Sequence, residues 1–267
     1  MDATERRDRF RALHATGTFV IPNPFDRGSA RLLEAAGVPA LATTSAGLAF
    51  SRGRPDMGID RATLIDHVAD LSGAVDLPVH VDAERGFADD PGGVAETVHA
   101  LAAAGAAGCS IEDWDPARGR IDPFDEAVLR VAAAAAAARD HGLVITARAE
   151  NHLHGIDDLD DTIARLHAYA QVGAEVVYAP GLADLDQIRR VVDEAGAPVN
   201  ALLLRGGPPV AALADVGVRR VSLGGALAHA AYAAAVEVAR SVLDDGTLPP
   251  DVGRIPSQLA ATAFRRS

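Results

Sequence analysis

Short apolar runs alternate with longer amphipathic stretches eight times along this chain, and no linker-like block of proline, glycine or serine interrupts them. The expected strands are residues 18–21, 40–43, 79–81, 108–111, 143–146, 176–178, 199–202 and 219–222. Between and after them, residues 26–36, 61–73, 92–104, 124–141, 157–172, 184–194, 210–215 and 227–244 carry helical patterning. Eight such units fit an α/β fold, a single (β/α)8 TIM barrel over residues 1–267 with a C-terminal extension from about 245 to 267. Ala36-Gly37, Ala104-Gly105, His141-Gly142, Val172-Gly173, Ala195-Gly196 and Val216-Gly217 place glycine where each helix should stop before the next strand. A doubly wound open sheet competes, and the number of units favours the barrel. The chain is 49% hydrophobic but only 4% aromatic, so its core is built from Ala, Val, Leu and Ile, which permit close helix–sheet packing.

A barrel works at the C-terminal ends of its strands, which selects the polar residues to weigh. Asp82-Ala83-Glu84-Arg85-Gly86-Phe87 follows the apolar run Leu77-Pro78-Val79-His80-Val81, and Glu112-Asp113 closes Cys109-Ser110-Ile111. Carboxylates gathered at one end of the molecule need a cation, and a hard divalent ion such as Mg²⁺, or Mn²⁺, takes oxygen ligands and keeps several waters. Glu112 and Asp113 have a blander reading as caps or as partners of Arg148. Arg148, ending the fifth strand, has a fork suited to a carboxylate or phosphonate, and equally to an ion pair with Glu150 or Glu112. Thr44-Ser45-Ala46-Gly47 leaves backbone N–H groups open to an anion, or is an ordinary tight loop. Asn200 has a similar choice between a bound carboxylate and a local turn. His152 and His154 match no helical zinc spacing and read as solvated loop residues. Gly224-Gly225 stands at the barrel phosphate-site position, and Cys109 reads as a small buried hydrophobe.

The net charge of −12, without a Lys/Arg cluster, argues against nucleic acid. No apolar run is long enough to span a bilayer, so no membrane role is expected. One cysteine and a charged N-terminus without an apolar stretch fit a reducing, cytoplasmic setting.

Taken together, these segments resemble the isocitrate lyase/phosphoenolpyruvate mutase superfamily over nearly the whole chain. The matching stretches include Asn23-Pro24-Phe25-Asp26, Thr43-Thr44-Ser45-Ala46-Gly47, Gly53-Arg54-Pro55-Asp56, the Asp82–Phe87 segment, Ser110-Ile111-Glu112-Asp113 and Thr146-Ala147-Arg148-Ala149-Glu150. The resemblance implies a barrel with an exchanged C-terminal helix, a homo-oligomer expected as a tetramer, and a metal-stabilised enolate of a 2-oxo acid. By motif, Asp82, Glu84 and Glu112 would hold the metal or its waters, with Asp56 turned toward them. Ser45, Ala46, Gly47 and Arg148 would bind the substrate.

Two departures matter. The usual Asp-x-Asp reads Asp82-Ala83-Glu84, and the loop Trp114-Asp115-Pro116-Ala117-Arg118-Gly119-Arg120-Ile121-Asp122 lacks the cysteine, lysine and histidine of the lyases. It also lacks the lysine and asparagine of the mutases. With Asp115 and Asp122 expected to be exposed and ionised, this loop offers no proton donor. The expected activity is therefore Mg²⁺-dependent C–C cleavage of a small anionic 2-oxo or 2-hydroxy acid resembling oxaloacetate or malate. The alternatives are a phosphonopyruvate mutase or hydrolase acting on a P–C bond, and a non-catalytic acid-binding barrel.

Overall fold

Eight parallel strands form the wall of the barrel in the computed structural model, which describes residues 1–265. They are β1 (Phe19–Ile21), β2 (Leu41–Ala42), β3 (Val79–Asp82) and β4 (Gly108–Glu112), followed after a small hairpin, β5 (Trp114–Asp115) and β6 (Arg120–Ile121), by β7 (Val144–Arg148), β8 (Val176–Tyr178), β9 (Val199–Leu202) and β10 (Arg220–Ser222). The hydrogen-bonded order β1-β10-β9-β8-β7-β4-β3-β2 leaves β1 and β2 at its two ends. The seam between them is joined by the Ala42 N–H, which donates to the Pro22 carbonyl at 3.1 Å. Asn23 reinforces it from both sides, donating to the Thr43 carbonyl and accepting from the Leu223 N–H, each at 2.9 Å. Pro22 and Pro24 lack an N–H, so this stretch has little else with which to build a ladder.

The helices are α1 (Ala3–Leu13), α2 (Arg27–Ala35), α3 (Ser45–Ser51), α4 (Arg61–Ala74), α5 (Pro91–Ala103), α6 (Phe124–Arg139), α7 (Leu159–Gln171), α8 (Leu185–Glu194), α9 (Val210–Asp215), α10 (Ala226–Asp245) and α11 (Ser257–Ala263). Gly37, Gly105, Gly142, Gly173, Gly196 and Gly217 all take positive φ at helix ends, the conformation that favours glycine there. At the opposite ends Asp26, Asp60, Asp90, Asp158 and Asp184 accept backbone N–H groups as N-caps, so part of the acidic surplus serves helix starts. Small residues let α6 press closely on its neighbours, with Ala127, Ala134, Ala135, Ala137 and Ala138 buried.

Several elements depart from the sequence reading. The charged N-terminus folds as α1, whose Phe10 is fully buried at the lower mouth of the barrel among Ile21, Ala42, Ala107, Val144 and Val176. Arg7 fixes α1 there by donating to the carbonyls of Ala102, Ala106 and His141. The Ser45–Gly47 stretch is not an open loop but the first turn of α3, capped by Thr44. The helix expected over 227–244 is present as α10, yet Ala228 is its fully buried residue while Tyr232, Val236, Val242 and Leu243 face outward. The chain then returns as α11, against α2. Residues 266–267 of the expected extension lie outside the described residues. Among the described residues no helix is long and apolar enough to cross a membrane.

Candidate active site

The apolar part of β3 ends in Asp82, whose carboxylate accepts from Arg148 Nη1 at 2.8 Å and from the Ser45 N–H at 3.2 Å. Arg148 ends β7 two strands away and gathers the acids around itself. Its Nη2 lies 3.2 Å from Glu112 and its Nε donates to Glu150 at 2.7 Å. Both readings of Glu112-Asp113 are thereby separated, because strand alternation turns the two side chains apart. Glu112 faces the barrel interior beside Arg148. Asp113 faces outward and accepts from Tyr169 Oη at 2.7 Å, the Glu150 N–H at 2.9 Å and Arg165 at 3.3 Å.

Glu84 occupies a left-handed turn at φ 48°, and burial, with Asp82 and Asp56 nearby, pushes its carboxyl up to about 8. Burial also raises Glu112 well above the usual carboxylate range, against the pull of Arg148. Met57, Glu84 and Phe87 are the non-glycine residues with positive φ among the described residues, and all three lie in the loops that carry Asp56 and Asp82. Such conformations cost of order 1–3 kcal/mol each and persist where surrounding structure holds them.

Ser45, Ala46, Asp56, Asp82, Arg148 and Asn200 line one cavity of about 180 Å³ at the strand ends, together with Tyr178 and Arg220. Asp56 reaches it from an exposed loop. Gly47 stands behind the wall: a Cβ there would meet Thr44 Cγ2 at 2.6 Å, so only glycine permits this packing, and its N–H is turned to Thr44 Oγ1. Asn200 is fully engaged on both sides of its amide, accepting from Arg220 Nε at 2.9 Å and donating to Ser222 Oγ at 3.0 Å. His154 is exposed, as expected of a solvated loop residue, with its ring stacked on Trp114 at 3.4 Å, whereas the His152 side chain is only 8% exposed.

The expectation that Asp115 and Asp122 are exposed is corrected: both are 2% exposed. Asp122 accepts two bonds of 2.9 Å from Arg85 and a third from Arg130, and Asp115 pairs with Arg118. For Asp115 burial works upward, and the bonds from Arg118 overcome it, leaving the carboxyl below its ordinary value. The hairpin of β5 and β6 is thus held by Arg118 within it and by Arg85 and Arg130 from outside, and holds no unpaired acid.

Three carboxyl groups, Asp82, Glu112 and Glu150, pair with the single guanidinium of Arg148, and Glu84 lies near enough to Asp82 to feel its charge. A hard divalent cation fits this surplus of oxygen donors. As the side chains stand, no three metal-binding groups among the described residues converge on one point. That suits an ion held by one or two carboxylates and its own waters better than a closed protein cage. In the metal-free protein Glu84 binds its proton more tightly folded than unfolded, from a reference of 4.5 up to about 8. Its contribution to stability therefore declines as pH climbs through that window. Thermal unfolding in chelator should show this loss, and millimolar Mg²⁺ should flatten it. A melting temperature that rises between pH 5 and 8 in chelator would contradict the crowding.

The family model described as phosphoenolpyruvate phosphomutase matches residues 10–243. An oxaloacetate decarboxylase of Bradyrhizobium sp. (strain ORS 278) is 32% identical over 278 residues, covering 98% of this chain and 93% of that protein. The 2-methylisocitrate lyase of Escherichia coli (strain K12) is 33% identical over 201 residues, covering 71% and 67%. Among solved structures, a provisionally assigned lyase/mutase of Burkholderia cenocepacia J2315 superposes with a TM-score of 0.94 at 50% identity, covering 99% of this chain and 97% of that one.

Proposed function

We propose, for a chain that belongs to the phosphoenolpyruvate mutase/isocitrate lyase superfamily, the activity of a divalent-metal-dependent lyase that breaks a C–C bond of a small 2-oxo or 2-hydroxy dicarboxylic acid resembling oxaloacetate. The observation that carries this reading is the clamped hairpin beside an intact acidic cluster: the groups for holding an electron-withdrawing cation are retained, while no unpaired acid stands in the loop. The near full-length likeness to an oxaloacetate decarboxylase supports it.

Asp82, Glu84 and Glu112 would hold Mg²⁺, or Mn²⁺, directly or through its waters. When bound, such an ion withdraws electrons from the 2-oxo group, so the pair left by the broken bond is stabilised as an enolate. As a cation shares the charge of Asp82 and Glu112, the terminal nitrogens of Arg148 become available to a substrate carboxylate, and Glu150 keeps its Nε in place. Ser45 and Ala46 shape the wall on the α3 side, with Gly47 allowing the tight turn behind them. Asn200 would hold Arg220 and Ser222 in register at the cavity wall. Asp56 stands at the rim, where its charge adds to that around Glu84.

A panel of 2-oxo and 2-hydroxy dicarboxylates, with phosphonopyruvate included, tests the proposal through pyruvate formation with Mg²⁺ and with chelator. Mg²⁺-dependent pyruvate from an oxaloacetate-like acid is expected. Turnover of phosphonopyruvate alone would favour the P–C reading, and no turnover of any acid would favour a binding barrel. We also propose that the outward apolar face of α10 is covered by a second copy, giving a homo-oligomer, expected as a tetramer. Light scattering at micromolar concentration should give a multiple of 27.6 kDa, and a monomer mass would contradict it.

A further inference from the structure

Two arginines line the cavity, and so does a phenol. Tyr178 ends β8 with its ring beneath the Arg148 guanidinium, whose central carbon is 5.3 Å from the ring centroid, and Ser222 on β10 lines the same cavity. The second arginine, Arg220, is 2% exposed in the middle of the barrel. Its Nε donates to Asn200 and its Nη2 to Thr146 Oγ1, both at 2.9 Å, and its Nη1 lies 3.3 Å from His14 Nε2.

All of these partners are uncharged. His14 Nδ1 is 2.9 Å from the Phe10 carbonyl, which makes Nδ1 the protonated nitrogen and Nε2 an acceptor for Arg220. Burial, with Arg220 close by, lowers His14 to about 3, so it stays neutral. A buried guanidinium with only neutral partners is costly to keep. Burial draws Arg220 down to about 9, and the interaction that pulls the other way is with the Tyr178 phenol. Tyr178 itself is pushed up to about 12, by burial first, so the phenol carries its proton at neutral pH.

We infer that Tyr178 is a catalytic acid, handing its proton to carbon 3 of the enolate left by C–C cleavage, and that Arg148 and Arg220 steady the phenolate that results. The inference rests on the lyase reading above. For an oxaloacetate-like acid, the C3–C4 bond breaks, CO₂ departs, and the electron pair stays on C3 as pyruvate enolate. A C3–H bond then forms as the Tyr178 O–H bond breaks, and the phenolate recovers a proton from water, so one solvent proton is consumed per turnover. The other side chains lining the cavity that titrate as acids are less suited to this. Asp82 is tied to Arg148, Asp56 stands on the exposed rim, and burial, with Arg220, keeps His80 neutral and far below its ordinary value. Arg220 acts in this scheme as a positioning residue, which accounts for a cation that no carboxylate accompanies.

The exchange of pyruvate methyl protons with D₂O, followed by NMR in the presence of Mg²⁺, runs the same proton transfer backwards. The wild type should catalyse it. Tyr178→Phe, which keeps the ring, should slow exchange and turnover by roughly 10²–10⁴-fold, the usual worth of a positioned acid. Its calorimetric affinity for oxalate with Mg²⁺ should stay within a few-fold of the wild type, separating proton transfer from binding. Arg220→Met should slow exchange too, and Arg220→Lys should recover part of it, because the charge is what matters. Exchange and turnover in Tyr178→Phe at the wild-type rate would overturn this inference and leave the lyase reading standing. A wild type that neither exchanges pyruvate nor cleaves any acid would overturn both.

Discussion

Replacing Arg148 with methionine should cost the metal-free protein about 3–5 kcal/mol of stability, the penalty for breaking a buried ion pair by removing one partner. The side chain is only 12% exposed and neutralises Asp82, Glu112 and Glu150 at 2.8, 3.2 and 2.7 Å. Without it three crowded carboxylates have no cation, and they must either take up protons or repel one another. The loss should therefore shrink at acid pH. Mg²⁺ should raise the melting temperature of the variant more than that of the wild type, because it supplies the missing charge. Thermal unfolding with and without Mg²⁺ checks both statements. Equal Mg²⁺ responses in the two proteins would show that these carboxylates do not share an ion. Turnover of the oxaloacetate-like acid should fall sharply as well, since Arg148 also faces the substrate.

Isocitrate and 2-methylisocitrate should be cleaved roughly 10²–10⁴-fold more slowly than an oxaloacetate-like acid is decarboxylated. Retro-aldol cleavage of isocitrate releases succinate as a carbanion equivalent, which must be protonated on the mouth side as it departs. The hairpin has nothing to give it. Asp115 accepts from the Ala117 and Arg118 N–H groups and from the Arg118 side chain, while Asp122 is held by Arg85 and Arg130. Both would have to surrender arginine partners before acting as acids. Tyr178 does not substitute, because in the inference above its proton goes to the fragment that stays behind. Glyoxylate released from isocitrate as fast as pyruvate from any other acid would refute this account of the hairpin.

Most of the architecture could be read from periodicity, because buried parallel strands are nearly pure apolar runs and the eight barrel strands lie on the expected runs, while the short β5–β6 hairpin was not foreseen. The acids of the site were legible for the same reason: Asp82 and Glu112 stand out at the ends of β3 and β4. Elements without an apolar stripe were not. α1 carries Phe10 amid charges, and α3 begins Ser-Ala-Gly, a composition that suits turns as well as helices. The burial of Asp122 depended on Arg85 and Arg130, which come from a distant loop and from α6, so no local pattern announced it. Tyr178 and Arg220 were hidden inside strands only three residues long, too short for alternation to declare a face. The Arg219-Arg220 doublet was the available signal, since one of two neighbouring strand residues must point inward.

The seam between β1 and β2 has a kinetic meaning. A wall laced by paired ladders on one side and by one amide and one asparagine on the other should open first where the lacing is thinnest. In native-state hydrogen exchange the amides of Ala42 and Leu223 should lose protection together, in a sub-global event, well before those of Cys109 and Ile145 in the β4–β7 ladder. Asn23→Ala should speed that opening without altering exchange on the far side of the barrel. The ring would then behave as a sheet with a clasp, able to spread at the one place where its closure was never more than a few bonds deep.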